Sequence, residues 1–449
     1  MTLSATALAA AFRSGRDTPR AAVDRVADTI AVREGRLGAF QTLHLDEARA
    51  AADAHTALLG AGHDLGPLQG VPIALKDLVD LEGRETTWGS AMLAGRIAPA
   101  TGTLARRLIG AGAVLVGKTK TVECAFGGWG TNTVLGTPRN PHDDTVHRVP
   151  GGSSSGSGVA VAAGMAALAV GTDTGGSVRL PAAFCGIVGL KVSEGQLPLD
   201  GIMPLSHTLD TPGPMAPSVR DAALMFEVMR GTDPGTLARA LTAPTGPFAA
   251  LEAGVTGLTL GRLHDPAMAE VEAPVMALYD AAVATLERAG ARIVDLTPPD
   301  PWPSLRDRNG LIIAAEAWTH HGARFADPGR PADDDVRTRI LAGRDIDAAD
   351  YIATLLDRRR AAADWAGATA GIDAVLTPTT ACLAPPVDTV DQTVSPGSFT
   401  RPGNYLGLSA LALPCGSAGG LPAGLQIVTP PNGEWTALRI GRTVERALA

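Results

Sequence analysis

Two serines in glycine-rich turns are the residues whose type and spacing most clearly predict chemistry. Ser153 and Ser177 lie 24 residues apart in the stretch 150–189, PGGSSSGSGVAVAAGMAALAVGTDTGGSVRLPAAFCGIVG. Glycines beside each serine remove Cβ atoms that would block a substrate, and they allow positive φ angles. Successive backbone N–H groups in such turns can point at one spot and bind negative charge. Two hydroxyls beside an anion nest favour acyl transfer.

A helix and a strand must bring these two turns together. The apolar segment between them predicts a buried helix from Ser157 and a short strand that reaches Val170. A third candidate, Lys76, directly follows the predicted buried strand VPIAL at 71–75. A lysine at a strand end is usually a solvated surface residue. In α/β folds, however, the chemistry lies at strand ends, so Lys76 is a candidate for the same site.

A glycine-rich segment follows the first predicted strands. The run ECAFGGWGTNTVLGTPRNP at 123–141 carries turn signals and is predicted to line a pocket beside the serine turns. Within it, Gly127 and Gly128 are the candidate substrate-binding residues. Four further apolar residues could also line the pocket, although each is more often simple core: Met203, Trp302, Trp318 and Trp365.

Composition limits the class of protein and its partners. The 449 residues carry a formal net charge of −8 and no basic block, so nucleic acid is an unexpected partner. No apolar run reaches the ~18 residues of a membrane span. The N-terminal residues predict a helix rather than a signal peptide, because no charged region precedes their apolar part. We therefore expect a cytoplasmic protein without membrane contact.

Cysteine and histidine spacing predicts no metal site. The four cysteines lie far apart, without C-x-x-C spacing, in apolar or Gly/Pro contexts, and we expect free buried thiols. No pair among the nine histidines has a ligand spacing such as H-E-x-x-H. No cofactor is implied by any other motif.

Two further motifs suggest other chemistries but lack the required context. Residues 112–119 match the phosphate-binding pattern G-x-x-x-x-G-K-[ST], yet the intervening AVLV predicts a strand rather than a loop. Residues 152–156 match G-x-S-x-G, the nucleophile elbow of α/β-hydrolases, with Ser154 as nucleophile. That elbow needs a strand directly before it and a later acid and histidine. The preceding DDTVHRVPG is a poor strand, but a downstream histidine for Ser154 stays possible.

The same residues resemble the amidase signature family. The resemblance rests on Lys76 in GVPIALKD, on the GGSS cluster at 151–154 and on GTDTGGSVRLPAAFCGIVGLK at 171–191. It extends to GIMPLSHTLDTPGPMAPSVRDAAL at 201–224 and to parts of 404–428, and it is weakest between about 230 and 395. A lysine followed by two serines in these glycine frames is a specific combination.

The resemblance implies a fold and a domain organisation. The expected fold is α/β, with a large mixed central β-sheet covered by helices on both faces. Residues 1–449 are expected to form a single domain. Within it, 66–224 would be the catalytic core and 230–400 a variable region that shapes the substrate pocket.

The resemblance also implies the roles of the site residues. Ser177 would be the nucleophile, Ser153 a bridging serine after a cis Gly152–Ser153 bond, and Lys76 the base. A lysine can act as a base only when neutral, so burial must lower its pKa from about 10 to about 7. The backbone N–H groups expected to hold the oxyanion are those of Thr174, Gly175, Gly176 and Ser177. The expected supporting residues are Ser154, which would donate a hydrogen bond within the triad, and the ion pair of Asp173 and Arg179.

These roles predict a serine hydrolase that cleaves C–N bonds of small-molecule amides through an acyl-enzyme, with activity on related aryl esters or carbamates. The alternative is a glutaminase-like A subunit of a tRNA-dependent amidotransferase, which shares the triad motifs. The expected state is a monomer or homodimer that binds a small-molecule substrate without a cofactor.

Overall fold

The polypeptide folds around one mixed β-sheet. The computed structural model describes residues 3–242 and 246–448. The strands are β1 (Phe40–Leu43), β2 (Pro72–Lys76), β3 (Val114–Thr119), β4 (Leu168–Asp173), β5 (Val188–Lys191), β6 (Thr211–Ala216), β7 (Thr259–Leu263), β8 (Arg292–Leu296), β9 (Ala374–Pro378), β10 (Ser409–Ala418) and β11 (Leu421–Thr429). Within the described ranges they form a single eleven-stranded sheet, in the order β1-β3-β2-β4-β6-β5-β10-β11-β9-β7-β8.

Helices account for much of the remaining chain. They are α1 (Ala5–Arg13), α2 (Pro19–Leu37), α3 (Leu45–Gly60), α4 (Thr103–Gly110), α5 (Ser155–Ala162), α6 (Arg179–Cys185), α7 (Val219–Arg230), α8 (Pro234–Thr242), α9 (Pro247–Leu251), α10 (Ala273–Arg288), α11 (Trp302–Phe325), α12 (Asp334–Ala342), α13 (Ala348–Ala368), α14 (Arg401–Tyr405) and α15 (Glu434–Leu448). Among the described residues, every helix is too short or too polar to span a bilayer.

Alternate residues of β2 show that helices cover both faces of the sheet, as expected. Successive side chains of a strand point to opposite faces. Ile73 and Leu75 pack into the core that α4 and α7 share. Ala74 instead joins the core formed with α2 and α5. The sheet is therefore the middle layer of the α/β fold.

The pairing of β2 determines where Lys76 lies. β2 runs parallel to β3 on one side and to β4 on the other. Leu75 is opposite Val170 in β4, so the next residue, Lys76, ends its strand beside the last residues of β4. These last residues lead directly into the turn that carries Ser177. The candidate residues therefore lie at the carboxyl ends of two adjacent parallel strands, where α/β folds place their functional sites.

The elements around the serines are longer than the sequence predicted. α5 begins at Ser155, two residues before the predicted Ser157. β4 continues past the predicted end at Val170, because its pairing with β6 extends to Asp173 opposite Thr211. Ser157 lies inside α5 and donates a hydrogen bond to the Val170 carbonyl at 2.9 Å, which fastens the helix to the strand.

Candidate active site

Lys76 lies at the buried end of β2 and contacts the first serine turn. Its side chain is fully buried, and Nζ donates to Ser153 Oγ and to Thr172 Oγ1, at 2.7 Å in each case. Thr172 belongs to β4, the parallel neighbour of β2. The hydrogen bond from β4 thus holds the Lys76 amine in position beside the serine turn.

The surroundings of Lys76 favour its neutral form. Burial lowers the pKa of Lys76 to about 7, and the negative charges of Asp210 and Asp173 oppose this effect only partly. Asp210 is itself perturbed, because burial raises its pKa to about 6. Its carboxylate accepts hydrogen bonds from the Thr174 hydroxyl at 2.5 Å and from the Leu205 N–H at 2.8 Å. An amine in this environment can accept a proton near neutral pH.

The serine turn, residues 151–154, is held by backbone contacts from two sides. The Gly152–Ser153 peptide bond is cis, as the resemblance implied. The Gly152 N–H donates to the Gly128 carbonyl at 2.7 Å. The Ser153 carbonyl accepts from the Thr121 hydroxyl at 3.0 Å. Ser153 is fully buried, so its hydroxyl faces Lys76 rather than solvent.

The turn at residues 173–178 carries Ser177, the expected nucleophile, and is called the nucleophile turn for that reason. It is organised by one buried ion pair. Asp173 and Arg179 are both fully buried, and Arg179 donates to both carboxylate oxygens of Asp173 at 2.9 and 3.0 Å. Burial alone would raise the pKa of Asp173, but the Arg179 guanidinium holds it well below its usual range. The remaining guanidinium donors bond to Asn404 and Gln426. The turn is thereby fixed to the C-terminal half of the sheet.

One of the four backbone N–H groups expected to bind the oxyanion is already hydrogen-bonded within the turn. The Gly176 N–H donates to Asp173 Oδ1 at 2.7 Å, so it is already used and is not free for an oxyanion. The N–H groups of Thr174, Gly175 and Ser177 have no hydrogen-bond partner among the described residues. The expected set of four donors is therefore reduced to three. The physical reason is local, because an aspartate side chain readily bonds a backbone N–H a few residues further on.

Ser154 does not hold the position expected for it. Its hydroxyl donates to the Thr172 carbonyl at 3.3 Å and accepts from the Thr172 N–H at 3.2 Å, so it bonds to β4 and not to Lys76, Ser153 or Ser177. It contacts Ser177 only through the backbone, where its N–H donates to the Ser177 carbonyl at 3.3 Å. Ser154 is fully buried, and no strand precedes it in residues 120–153. The elbow interpretation therefore lacks the geometry that it needs.

Ser177 opens onto a cavity of about 670 Å³. Gly127 and Gly128 line this cavity together with Trp129, as the glycine-rich segment predicted. A Cβ atom on Gly128 would lie only 2.8 Å from Pro396 Cδ, so the wall is closely packed at this point. The far wall comes from α11, α12 and the segment 392–401.

The apolar residues suggested for the pocket lie elsewhere. Trp302 and Trp365 are buried in a separate core with Phe399, and Trp318 packs against that core. Met203 is buried in the same core. None of the four is among the residues that line the large cavity.

Several residues of the site were not predicted from the sequence. Thr172, the second partner of Lys76, follows from the register of β2 and β4. Thr400 Oγ1 donates to the Gly175 carbonyl at 2.7 Å and so fixes the nucleophile turn from a position more than two hundred residues away. Only the i to i+3 spacing of Asp173 and Gly176 was a local signal that could have been used.

The other candidate motifs do not form sites here. Residues 114–119 of the phosphate-binding pattern are strand β3, and Lys118 within them forms a buried ion pair with Asp77 at 2.6 Å. No cluster of potential metal ligands occurs among the described residues. All four cysteines are free thiols, and Cys382 is the one that is not buried.

Comparison with known proteins identifies the class. The model of the amidase family matches residues 21–438, so the chain belongs to this family and is an amide-hydrolysing enzyme by class. The 2-amino-5-chloromuconic acid deaminase of Comamonas testosteroni is 36% identical over 455 residues, which cover 97% of this chain and 94% of the relative. The A subunit of the glutamyl-tRNA(Gln) amidotransferase of Koribacter versatilis (strain Ellin345) is 34% identical over 478 residues, covering 100% of this chain and 98% of the relative. A crystal structure of a bacterial aryl acylamidase of the amidase signature family superposes with a TM-score of 0.87 at 27% identity, covering 99% of this chain and 96% of that one.

Proposed function

We propose that the protein hydrolyses small-molecule amides through an acyl-enzyme on Ser177. The observation that carries the proposal is the 2.7 Å contact between Lys76 Nζ and Ser153 Oγ, next to a cavity onto which Ser177 opens. Lys76 has the pKa that a base near neutral pH requires. Ser153 Oγ accepts the hydrogen bond of the proposed base, and we propose that it relays the proton between Lys76 and Ser177.

The proposed reaction has two halves. In the first, Ser177 Oγ attacks the amide carbonyl while its proton passes to Ser153, and the proton of Ser153 passes to Lys76. The free N–H groups of Thr174, Gly175 and Ser177 hold the negative oxygen, and one such donor contributes about 10²–10³ in rate. The proton returns through Ser153 to the leaving amine, the C–N bond breaks and the acyl-enzyme forms. In the second half, a water oxygen attacks the acyl carbon while its proton passes to the same relay. The bond between the acyl carbon and Ser177 Oγ then breaks, the relay returns the proton to Oγ, and the acid leaves.

The proposed catalytic residues and the far wall of the pocket come from different segments of the chain. We propose that residues 1–449 form a single domain in which 66–224 carry the chemistry and 230–400 shape the pocket. Lys76, Ser153 and Ser177 all fall in the first segment, whereas α11 and α12, which form the far wall, fall in the second. Aryl esters and carbamates would react at the same serine, because both place an acyl carbonyl beside a leaving group.

A second candidate function is supported by the relatives. The A subunits of glutamyl-tRNA(Gln) amidotransferases match nearly the whole chain at 34–36% identity. A glutaminase that passes ammonia to a partner protein would use the same residues. This alternative predicts that glutamine is hydrolysed faster than simple amides and that activity rises when a partner binds.

The first experiment compares wild type and Ser177→Ala on aryl amides, aryl esters, aryl carbamates and glutamine. We expect wild-type turnover of the aryl amides to fall at least 10³-fold in Ser177→Ala. Ser218→Ala removes a helix-capping hydroxyl on α7 and serves as the matched control with wild-type kcat/KM. An active Ser177→Ala together with an inactive Ser154→Ala would refute the proposal in favour of the elbow. Glutamine as the best substrate would favour the amidotransferase alternative.

A further inference from the structure

An arginine without a partner lies in the wall of the large cavity. Arg401 is the first residue of α14 and lines the cavity next to the nucleophile turn. Its guanidinium forms no hydrogen bond or ion pair with any residue that the structure describes. A guanidinium carries five N–H donors in a planar fork that matches a carboxylate. Leaving all of them unpaired in a partly buried position is costly.

The other two arginines of the cavity are already engaged. Arg306 donates from Nε to its neighbour Asp307 at 2.9 Å. Arg339 donates to the carbonyls of Phe126 and Gln392, at 2.9 and 3.2 Å. These contacts hold the two side chains as parts of the pocket wall. Arg401 is the guanidinium of this cavity that has no such contact within the described residues.

Arg401 lies close to where the reaction would occur. A Cβ atom on Gly175 would be 3.2 Å from Arg401 Cγ, and a Cβ atom on Gly310 would be 3.1 Å from Arg401 Nη1. The preceding residue, Thr400, is hydrogen-bonded to the Gly175 carbonyl at 2.7 Å. The backbone of Arg401 is therefore fixed to the nucleophile turn. An anion bound by Arg401 would therefore lie in the same cavity as Ser177.

A second unpaired polar group lies beside the same glycine. Asn309 in α11 is fully buried, and neither its Oδ1 nor its Nδ2 has a hydrogen-bond partner in the described structure. A Cβ atom on Gly175 would be 3.3 Å from Asn309 Oδ1. Buried polar side chains are almost always hydrogen-bonded. Asn309 does not itself line the cavity, but its amide is a second unsatisfied polar group beside the nucleophile turn.

The charge of the cavity also favours an anion. Its wall contains three arginines against two carboxylates, and one of these carboxylates, Asp307, is paired with Arg306. The other, Glu270, is exposed. Burial and the neighbouring positive charges of Arg306 and Arg339 lower the pKa of Arg401 to about 10, which still leaves it cationic at neutral pH. A bound carboxylate would neutralise this charge.

We propose that Arg401 forms a carboxylate subsite, and that the substrate is an amide that also bears a carboxylate group. This inference rests on the proposed function, since it names the substrate class of the same site. The carboxylate can belong to the acyl part, as in a monoamide of a dicarboxylic acid. It can instead belong to the leaving amine, as in an N-acyl aminobenzoate. Both sources present the same anion to the same guanidinium.

Two matched substrate pairs test the subsite and separate the two sources. The acyl pair is succinic acid mono-4-nitroanilide and the analogue whose carboxylate is replaced by a carboxamide. The leaving-group pair is 4-acetamidobenzoate and 4-acetamidobenzamide. We expect wild type to prefer the carboxylate member of one pair by about 100-fold in kcat/KM, mainly through KM. In Arg401→Gln this preference should fall to nearly one, whereas Arg401→Lys should keep part of it.

The control is Arg344→Gln, which removes an exposed arginine that pairs with Asp345 at the surface. It should keep the wild-type preference. Calorimetric binding of the same four compounds to Ser177→Ala gives a readout that does not need turnover. If no compound is hydrolysed but Ser177→Ala binds a carboxylate compound through Arg401, the proposed function fails and the subsite stands. Equal binding of the carboxylate and carboxamide members of both pairs, or an unchanged preference in Arg401→Gln, overturns the subsite.

Discussion

If Lys76 is the base, activity must follow the titration of its amine. The structure puts this pKa at about 7, whereas an ordinary lysine has a pKa of 10.5. At pH 7 about half of the molecules would carry a neutral amine, compared with roughly 3 in 10,000 for an unshifted lysine. Burial thus raises the active fraction by roughly a thousandfold. The protonated form is inactive, so kcat/KM should rise about tenfold per pH unit below pH 7 and level off above it.

Removing the charge of Asp210 should shift the pH profile of kcat/KM to lower pH. Asp210 raises the pKa of Lys76 when it is ionised, so Asp210→Asn should lower that pKa and shift the acid limb to lower pH. The pKa of Asp210 is itself about 6. The difference in kcat/KM between variant and wild type should therefore be largest between about pH 6 and pH 7, where the wild-type Asp210 carboxylate is ionised and Lys76 is still partly protonated. It should decrease at lower pH, where Asp210 is protonated, and at higher pH, where Lys76 is neutral in both enzymes.

The assay is kcat/KM of an aryl amide from pH 5 to pH 9 for wild type, Asp210→Asn and a control. Asp345→Asn is a suitable control, because Asp345 is an exposed carboxylate that pairs with Arg344 at the surface. Its profile should match that of wild type. A wild-type enzyme that loses activity above pH 7, or an acid limb that moves to higher pH in Asp210→Asn, would refute the neutral-lysine mechanism.

Two further substitutions separate catalysis from stability. Lys76→Met should lower kcat/KM by about 10³-fold, because the base is lost. Its melting temperature should stay the same or rise, because a buried amine is replaced by an apolar chain of similar length; a large drop in melting temperature would contradict this. Asp173→Asn should lower the free energy of unfolding by about 3–5 kcal/mol, since it leaves the buried Arg179 cation without its partner. Urea unfolding measures this change, with Asp345→Asn as the control, and a loss below about 1 kcal/mol would show that the ion pair does not hold the turn.

The sequence could predict those parts of the site that depend on local patterns. Lys76, Ser153 and Ser177 each lie in a short segment whose glycines and strand pattern indicate a turn or a strand end. The N-terminal cap of α2 is equally local. The Thr18 side chain accepts a hydrogen bond from the Ala21 N–H, and Pro19 follows as the first residue of the helix. That helix ends at Leu37, because Gly38 adopts the left-handed conformation that ends it.

Residues that act through distant contacts could not be predicted in this way. Thr172 contacts Lys76 only because β2 and β4 pair in one particular register. Thr400 and Arg401 come to the nucleophile turn from the far end of the chain, through the packing of α14 against α11. The sequence also could not show that the Gly176 N–H is used by Asp173, since a glycine-rich turn predicts available donors but not which of them are already bonded.

The buried ion pair of Asp173 and Arg179 lies near the proposed base Lys76, so its effect on the pKa of that lysine must be considered. In the proposed mechanism Lys76 must lose its proton easily, yet the negative charge of Asp173 lies close enough to raise its pKa. Arg179 binds both oxygens of that carboxylate, so its positive charge offsets part of the negative charge of Asp173. Asp173 can therefore shape the nucleophile turn through its hydrogen bonds without holding the lysine in its protonated form.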